Sequence, residues 1–258
     1  MNNNKTAKQI LKNYRLKLAL LCVVYVLLLA IMIVAMKYSI LLGMAGIVAL
    51  GVSIRKPIQK IRERDLESVI FEELDPQKFN ELIELGAFKG APRMKVLCAI
   101  SLGEYEKALK IINAEKEKTR HPVDICNNIY RQGYIYFEKG EFEKLPSVVK
   151  EYNNLKSKFP QFAVALNQFA VFDKFDAFAD EDYEYVVDVC DIDIKEINPK
   201  NQNHKLTRIN VGFYRAVSLY KLGKLDEARK GFEDIINFAP KMHKAKLAKE
   251  YIDLINKA

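Results

Sequence analysis

Hydrophobic positions in this chain follow two different patterns, and the change falls near residue 55. Leu18 to Met36 carries no charged side chain, and after Lys37 the stretch from Tyr38 to Ile54 carries none either. A helix rises about 1.5 Å per residue and the hydrocarbon core of a bilayer is about 30 Å thick, so roughly 17–25 apolar residues cross it. Both stretches reach that length, which predicts a transmembrane helical hairpin over residues 18–54 that turns at Lys37 and Tyr38. A secretory leader competes for the first stretch, but a leader's apolar core is only about 7–15 residues and ends at a small-residue cleavage site. Gly43, Gly46 and Gly51, with Ala45 and Ala49, give the second helix a small face on which helices approach closely in lipid.

From residue 56 onward the apolar positions recur at helical spacing without strand alternation. Ile58, Ile61, Leu66, Val69 and Ile70 extend the second span into a helical stalk. Asp75-Pro76 reads as an N-cap followed by a first-turn proline, opening a short helix to about Leu85. Gly86 and Gly90 interrupt the chain and Pro92 starts the next helix. The expected organisation is a basic tail (1–17), the hairpin (18–54), a stalk with a lead-in helix (55–90) and a helical domain (91–258).

Within that domain one phrase returns. It runs Val96–Ala108 through Gly103 and Tyr105, Gly133–Leu145 through Gly140 and Phe142, and Ala216–Ala228 through Gly223 and Leu225. Each copy is a helix, a glycine turn, an aromatic or leucine two residues later, then a second apolar-faced helix. The glycines lie 37 and then 83 positions apart, so a degenerate copy is expected near residues 160–196. Pro160 opens a helix there, the phrase resumes around Tyr183, and Asp180-Glu181-Asp182 stands in place of the turn glycine.

This phrase resembles the tetratricopeptide repeat, whose second half reads G-x-Y-x-x-A-x-x-x-F and closes on proline. Gly103, Tyr105 and Ala108 carry the likeness, as do Gly223, Ala228, Phe232 and Pro240, whereas Leu145 and Val149 depart from it. The resemblance covers roughly residues 91–257 and implies an all-α fold: a TPR-like α-solenoid of about four helix pairs closed by a capping helix over Met242 to Ala258. That helix sets lysines on one side and Leu247, Tyr251, Leu254 and Ile255 on the other. In relatives the first helix of each pair lines an inner groove. The corresponding positions are Asn127, Tyr130, Tyr134 and Phe137, then Asn210, Phe213, Val217 and Tyr220. Asparagine amides both donate to and accept from a peptide backbone, and aromatics supply rigid contact area. The same rings would also fill the seams between hairpins. The lysine, asparagine and arginine set with which chaperone-binding relatives clamp a terminal carboxylate is replaced by bulky hydrophobic residues, which argues against chaperone tails.

The net charge of +8 points to nucleic acid only until it is divided. Residues 1–64 hold 11 of the 41 basic residues and one of the 33 acidic ones, a net of +10; the other 30 basic and 32 acidic residues leave the rest at −2. Lys5, Lys8, Lys12, Arg15 and Lys17 precede the apolar stretches, while Arg55, Lys56, Lys60, Arg62 and Arg64 follow them. Basic residues stay on the cytoplasmic side, so both termini and the helical domain are expected there. Anionic lipid headgroups then become expected partners, and nucleic acid does not.

Cys22, Cys98, Cys126 and Cys190 lack metal-binding spacing and read as free thiols. His121, His204 and His243 are far apart, and no phosphate loop or nucleophile elbow is present, so neither catalysis nor a cofactor or metal is expected. The acidic stretch from Asp173 to Glu196 lacks the glycine of a calcium loop and reads as a solvated face, or as a docking match for a basic partner or the lysine-rich cap. Abundant Lys, Asn and Ile point to an AT-rich, bacterial genome. Together these features describe a membrane-anchored scaffold that binds protein partners. The alternatives are a subunit or assembly factor acting through the hairpin, and an enzyme with a cryptic site.

Overall fold

The computed structural model describes residues 5–166, 169, 171–201 and 203–257, and these are helical, with no strand among them. The first residues of the basic tail, 1–4, the last residue of the cap, 258, positions 167, 168 and 170 of the degenerate copy and position 202 of its following linker lie outside the described residues. The chain divides into two compact units, Met1–Lys89 and Gly90–Ala258.

In the first unit, α1 (Ala7–Ala35) starts at a capping box: the Thr6 hydroxyl accepts from the Gln9 amide, and the Gln9 side chain accepts from the Thr6 amide at 3.0 Å. The chain turns at Met36–Ser39, where Tyr38 is fully out, and Ser39 caps α2 (Ile40–Ser53). Helical structure then continues through α3 (Arg55–Arg62), a π turn (Glu63–Glu67) and α4 (Ser68–Phe71). Two helical stretches, Ala7–Ala35 and Ile40–Phe71, are long and apolar enough to cross a membrane. Their apolar side chains point outward: Leu20, Val26, Leu27, Ile31, Leu41 and Val48 are all exposed.

Two of the three glycines of α2 are used inside the hairpin. A Cβ on Gly43 would strike Met36 and one on Gly46 would strike Met32, whereas Gly51 faces open space. Tyr25 and Ser53 also meet across the pair, with their hydroxyls 3.2 Å apart.

Below the apolar stretches a small core forms. Ala7, Ile10 and Leu11 of α1 are buried, as are Leu66, Val69 and Ile70, and Phe79 and Leu82 of α5 (Pro76–Glu84), a helix that packs on α1. As expected, α5 begins at Asp75, whose carboxylate accepts from the Lys78 amide at 3.0 Å. The π turn inserts an extra residue and so re-aims the side chains around it. Asp65 and Glu67 consequently point inward, Asp65 to the Lys17 ammonium at 2.6 Å and Glu67 to Arg62 at 2.8 Å.

The second unit runs α6 (Pro92–Leu102), α7 (Tyr105–Lys118), α8 (Pro122–Glu138), α9 (Leu145–Lys158), α10 (Ala163–Leu166), α11 (Val171–Ala179), α12 (Tyr183–Glu196), α13 (His204–Lys221), α14 (Leu225–Phe238) and α15 (His243–Ile255). From α11 to α15, and from α6 to α9, each helix packs on the next. One turn joins the helices of four pairs. Gly103, Gly140, Glu181 and Gly223 all have φ between 61° and 77°. In each turn the following amide reaches back to a carbonyl five residues earlier, from Glu104 to Ala99, Glu141 to Tyr136, Asp182 to Ala177 and Lys224 to Leu219. This is the glycine-favouring C-terminal motif of helices. Five residues after each turn, Ala108, Leu145, Val186 and Ala228 are fully enclosed; nine after it, Ile112, Val149, Cys190 and Phe232 are buried. Glu181 therefore occupies the position of the missing glycine, although a left-handed conformation costs an ordinary residue about 1 kcal/mol. The preceding half is irregular: Pro160 starts only a 3-10 turn (Pro160–Phe162) before the short α10.

One expectation is corrected. The C-terminal helix α15 is not a plain solvent-backed cap, because it packs on α14 and also touches α13 and α6. Lys244, assigned to its polar side, is buried, while Leu254 is exposed. Within the acidic stretch, Asp193 pairs with Lys174 at 2.7 Å and Asp191 with Arg215 at 2.7 Å. Cys98, Cys126 and Cys190 are free and buried, and Cys22 is free and exposed on α1.

Candidate functional site

The residues expected to line an inner groove divide into three groups. Phe137, Phe213 and Val217 are enclosed. Phe137 lies edge-on to Tyr214 at 4.4 Å and to Phe178 at 4.8 Å, and Phe213 meets Phe232 and Tyr251 at 6.1 Å each. These rings fill the seams between helices and offer nothing to a partner. Asn127 and Tyr220 are half-buried, Asn127 donating to its own helix at the Val123 carbonyl (2.9 Å) and Tyr220 standing edge-on to Tyr251 (5.3 Å). The remaining three, Tyr130, Tyr134 and Asn210, come together.

Tyr134 is the link between a buried ionic centre and an open cleft. The Lys244 ammonium donates to the Tyr134 hydroxyl and to the Glu138 carboxylate. Glu138 also accepts from the Tyr105 hydroxyl at 2.8 Å, and the Tyr134 hydroxyl donates onward to Asn210 Oδ1 at 2.5 Å. The Lys244 ammonium lies 4.4 Å from the centre of the Tyr134 ring and 4.9 Å from that of Phe213, a favourable setting for a desolvated cation. Burial drives the Lys244 pKa down, against the opposing pull of Glu138. Burial, then the Glu138 charge, pushes the Tyr134 phenol well above its ordinary range, so it stays a donor. His243 sits beside this centre, edge-on to Tyr105 at 5.5 Å, and burial lowers its pKa.

Asn210 and Tyr130 belong to the wall of a cleft of about 650 Å³, shared with Phe169, Val171, Lys174, Asn198, Thr207 and Tyr214. Burial raises the Tyr130 phenol to about 12 and lifts that of Tyr214 well above the ordinary range. The Tyr214 hydroxyl is sealed from solvent and has no hydrogen-bond partner among the described residues. Lys174 is the cation of the wall and is held by Asp193. Beside the Lys174–Asp193 pair and the Glu196 carboxylate, the cleft wall is built from amide side chains and aromatic rings. That chemistry suits backbone amides and carbonyls better than a compact charge. Among the described residues no three His, Cys, Asp or Glu side chains gather in a way that could hold a metal ion.

The sequence did not single out Glu138, Tyr214 or Lys244. Glu138 carried a signal, since Tyr130, Tyr134 and Glu138 form one row at four-residue spacing on the inner face of α8. Lys244 carried none, because a lysine among the lysines of an amphipathic helix reads as solvated. No family model, curated protein or solved structure matches the chain.

Proposed function

We propose that the protein is a membrane-anchored cytoplasmic scaffold whose helical domain is a TPR-like α-solenoid, and that it holds a protein partner's backbone in the cleft beside Tyr130 and Asn210. The observation that carries this reading is the cleft itself, about 650 Å³, where the half-buried Tyr130 and Asn210 stand among further amide side chains. Asparagine amides both donate to and accept from a peptide backbone, and the Tyr130 ring adds rigid contact area. The four matching turns support the solenoid, and the outward apolar faces of the two long helices support the anchor. Basic residues on both flanks of the apolar stretches support an inward orientation of both termini. Anchoring raises effective concentration at the membrane, so a modest cleft suffices.

The test is in-cell photo-crosslinking from Thr207 at the cleft wall, comparing the parent chain with Tyr130→Leu. Replacing the half-buried ring by an aliphatic side chain should cut the crosslinked partner about tenfold while thermal stability changes little. Undiminished crosslinking, or a clear loss of stability, would end this reading. The open face at Gly51 supports a second reading in which the hairpin docks on another membrane protein. Replacing the hairpin by an unrelated one separates the two: a scaffold keeps its crosslink, and an assembly subunit loses it.

A further inference from the structure

The basic residues around the apolar stretches are not equivalent in the folded first unit. Lys17 and Arg64 contact Asp65, at 2.6 and 3.4 Å, and Arg62 contacts Glu67 at 2.8 Å. Those three cations are answered from within the chain. Lys8, Lys12 and Arg15 are exposed and have no acidic partner among the described residues. They share one face of α1 and, with Leu11 and Leu85, surround a hollow of about 300 Å³. Its floor is apolar, since Leu11 is buried, and its rim is cationic. The Arg15 guanidinium is steadied there by donating to the Leu85 carbonyl at 3.4 Å.

The level of this hollow along α1 identifies its occupant. The apolar stretch begins at Leu18. At about 1.5 Å per residue, Arg15 and Lys12 lie roughly 5 and 9 Å beyond it, and the polar layer of a bilayer is about 5–8 Å thick on each side. Lys8 is one turn further out, and its long flexible stem lets the ammonium reach back toward that layer. Three unanswered cations around an apolar floor match a phosphate ester carrying a glycerol and acyl stem better than they match a bare ion.

We propose that Lys8, Lys12 and Arg15 form a binding site for the headgroup of an anionic phospholipid, with Leu11 and Leu85 receiving its apolar shoulder. The site rests on the membrane-anchor reading and adds a lipid preference to it. Its occupancy holds the start of α1, and α5 packed against it, at the bilayer surface.

The experiment has two arms. Alkaline carbonate extraction of cell membranes tests the anchor alone, and release of the full chain into the soluble fraction would overturn the anchor and the headgroup site together. For a chain that stays in the membrane, protein purified in mild detergent is titrated with phosphatidylglycerol, phosphatidylcholine or inorganic phosphate, and bound molecules are counted by native mass spectrometry. Phosphatidylglycerol should bind in preference to phosphatidylcholine. The triple variant Lys8→Gln, Lys12→Gln, Arg15→Gln should weaken it about 30- to 150-fold, the range expected for two to three well-placed basic residues at a membrane surface. A charge-matched control, Arg55→Gln, Lys56→Gln, Lys60→Gln, should stay within a few-fold of the parent. Equal binding of the two lipids, equal loss in both triple variants, or inorganic phosphate binding as well as the lipid would each overturn the site, the last by showing a bare-anion site instead.

Discussion

Each unit of the molecule takes at least one carboxylate almost completely out of water and answers it with a lysine from a distant part of the chain. In the first unit Asp65 meets Lys17, whose side chain keeps 39% of its exposure, and Arg64 stands by at 3.4 Å. In the second unit Glu138 meets Lys244, and both side chains are under 5% exposed. The surroundings differ in the same sense. The first unit turns its apolar side chains outward along α1 and α2, so its charges gather where the apolar faces end. The second turns its aromatic rings inward, and its ion pair is sealed among them with Tyr105 and Tyr134. A pair with one end in water can lose a partner and re-solvate, whereas a sealed pair cannot.

The largest expected effect therefore comes from breaking the sealed pair. Lys244→Ala leaves the Glu138 charge buried with only tyrosine donors, a situation that costs about 3–5 kcal/mol. Amide exchange within α15, at residues such as Ala248 and Tyr251, should accelerate at least a hundredfold in the full chain in detergent. Adding Glu138→Leu to a Lys244→Met variant should recover much of that loss, because two apolar side chains of similar volume need no partner. Exchange within tenfold of the parent in Lys244→Ala would show that the centre hydrates readily and would break the comparison.

The same measurement reads the exposed pair. Lys17→Ala removes a half-wet ammonium and leaves Arg64 in place, so the cost should stay under about 1 kcal/mol. Amides of the buried π-turn residues Leu66 and Glu67 should then exchange no more than about fivefold faster. A larger change than in Lys244→Ala would invert the ranking and place the decisive charge in the first unit.

How much of this could be read from the sequence follows from the distance over which each feature is decided. Helix starts at Asp75-Pro76 and turns at Gly103, Gly140 and Gly223 are settled by neighbours in the chain, and they stand where the pattern puts them. The turn at Glu181 is different. Nothing local makes a glutamate left-handed, and its conformation is dictated by α11 and α12, whose Phe178 and Val186 must both be buried. Tyr130 and Asn210 were visible as inner-face positions because helical spacing alone places them there. Tyr214 follows Phe213 directly, and only packing decides that the phenylalanine enters the seam while the tyrosine borders the cleft. Lys244 reaches a residue 106 positions away, so its role appears only once α15 has closed onto α8.

The smallest expected effect sharpens the comparison from the edge of the sealed centre. His243 is half-buried against Tyr105 and Gly103, and its pKa falls below the ordinary value of 6.5, chiefly through burial, with Lys246 and Lys244 adding to the shift and Glu138 and Glu250 opposing it. The unfolded chain then binds a proton more readily than the folded one, so stability gained from this group is complete above pH 6.5 and is lost as pH falls through the lowered value. Protonation would also bring a second cation next to Lys244, which the sealed centre has no spare carboxylate to answer. Thermal midpoints of the parent and of His243→Gln, followed by circular dichroism between about pH 7.5 and 5, should therefore converge or cross on acidification, the parent losing more. Titrations elsewhere are common to both chains and cancel in the difference. Parallel curves would mean that His243 stays solvated in both states, and that the seal around Lys244 ends before it.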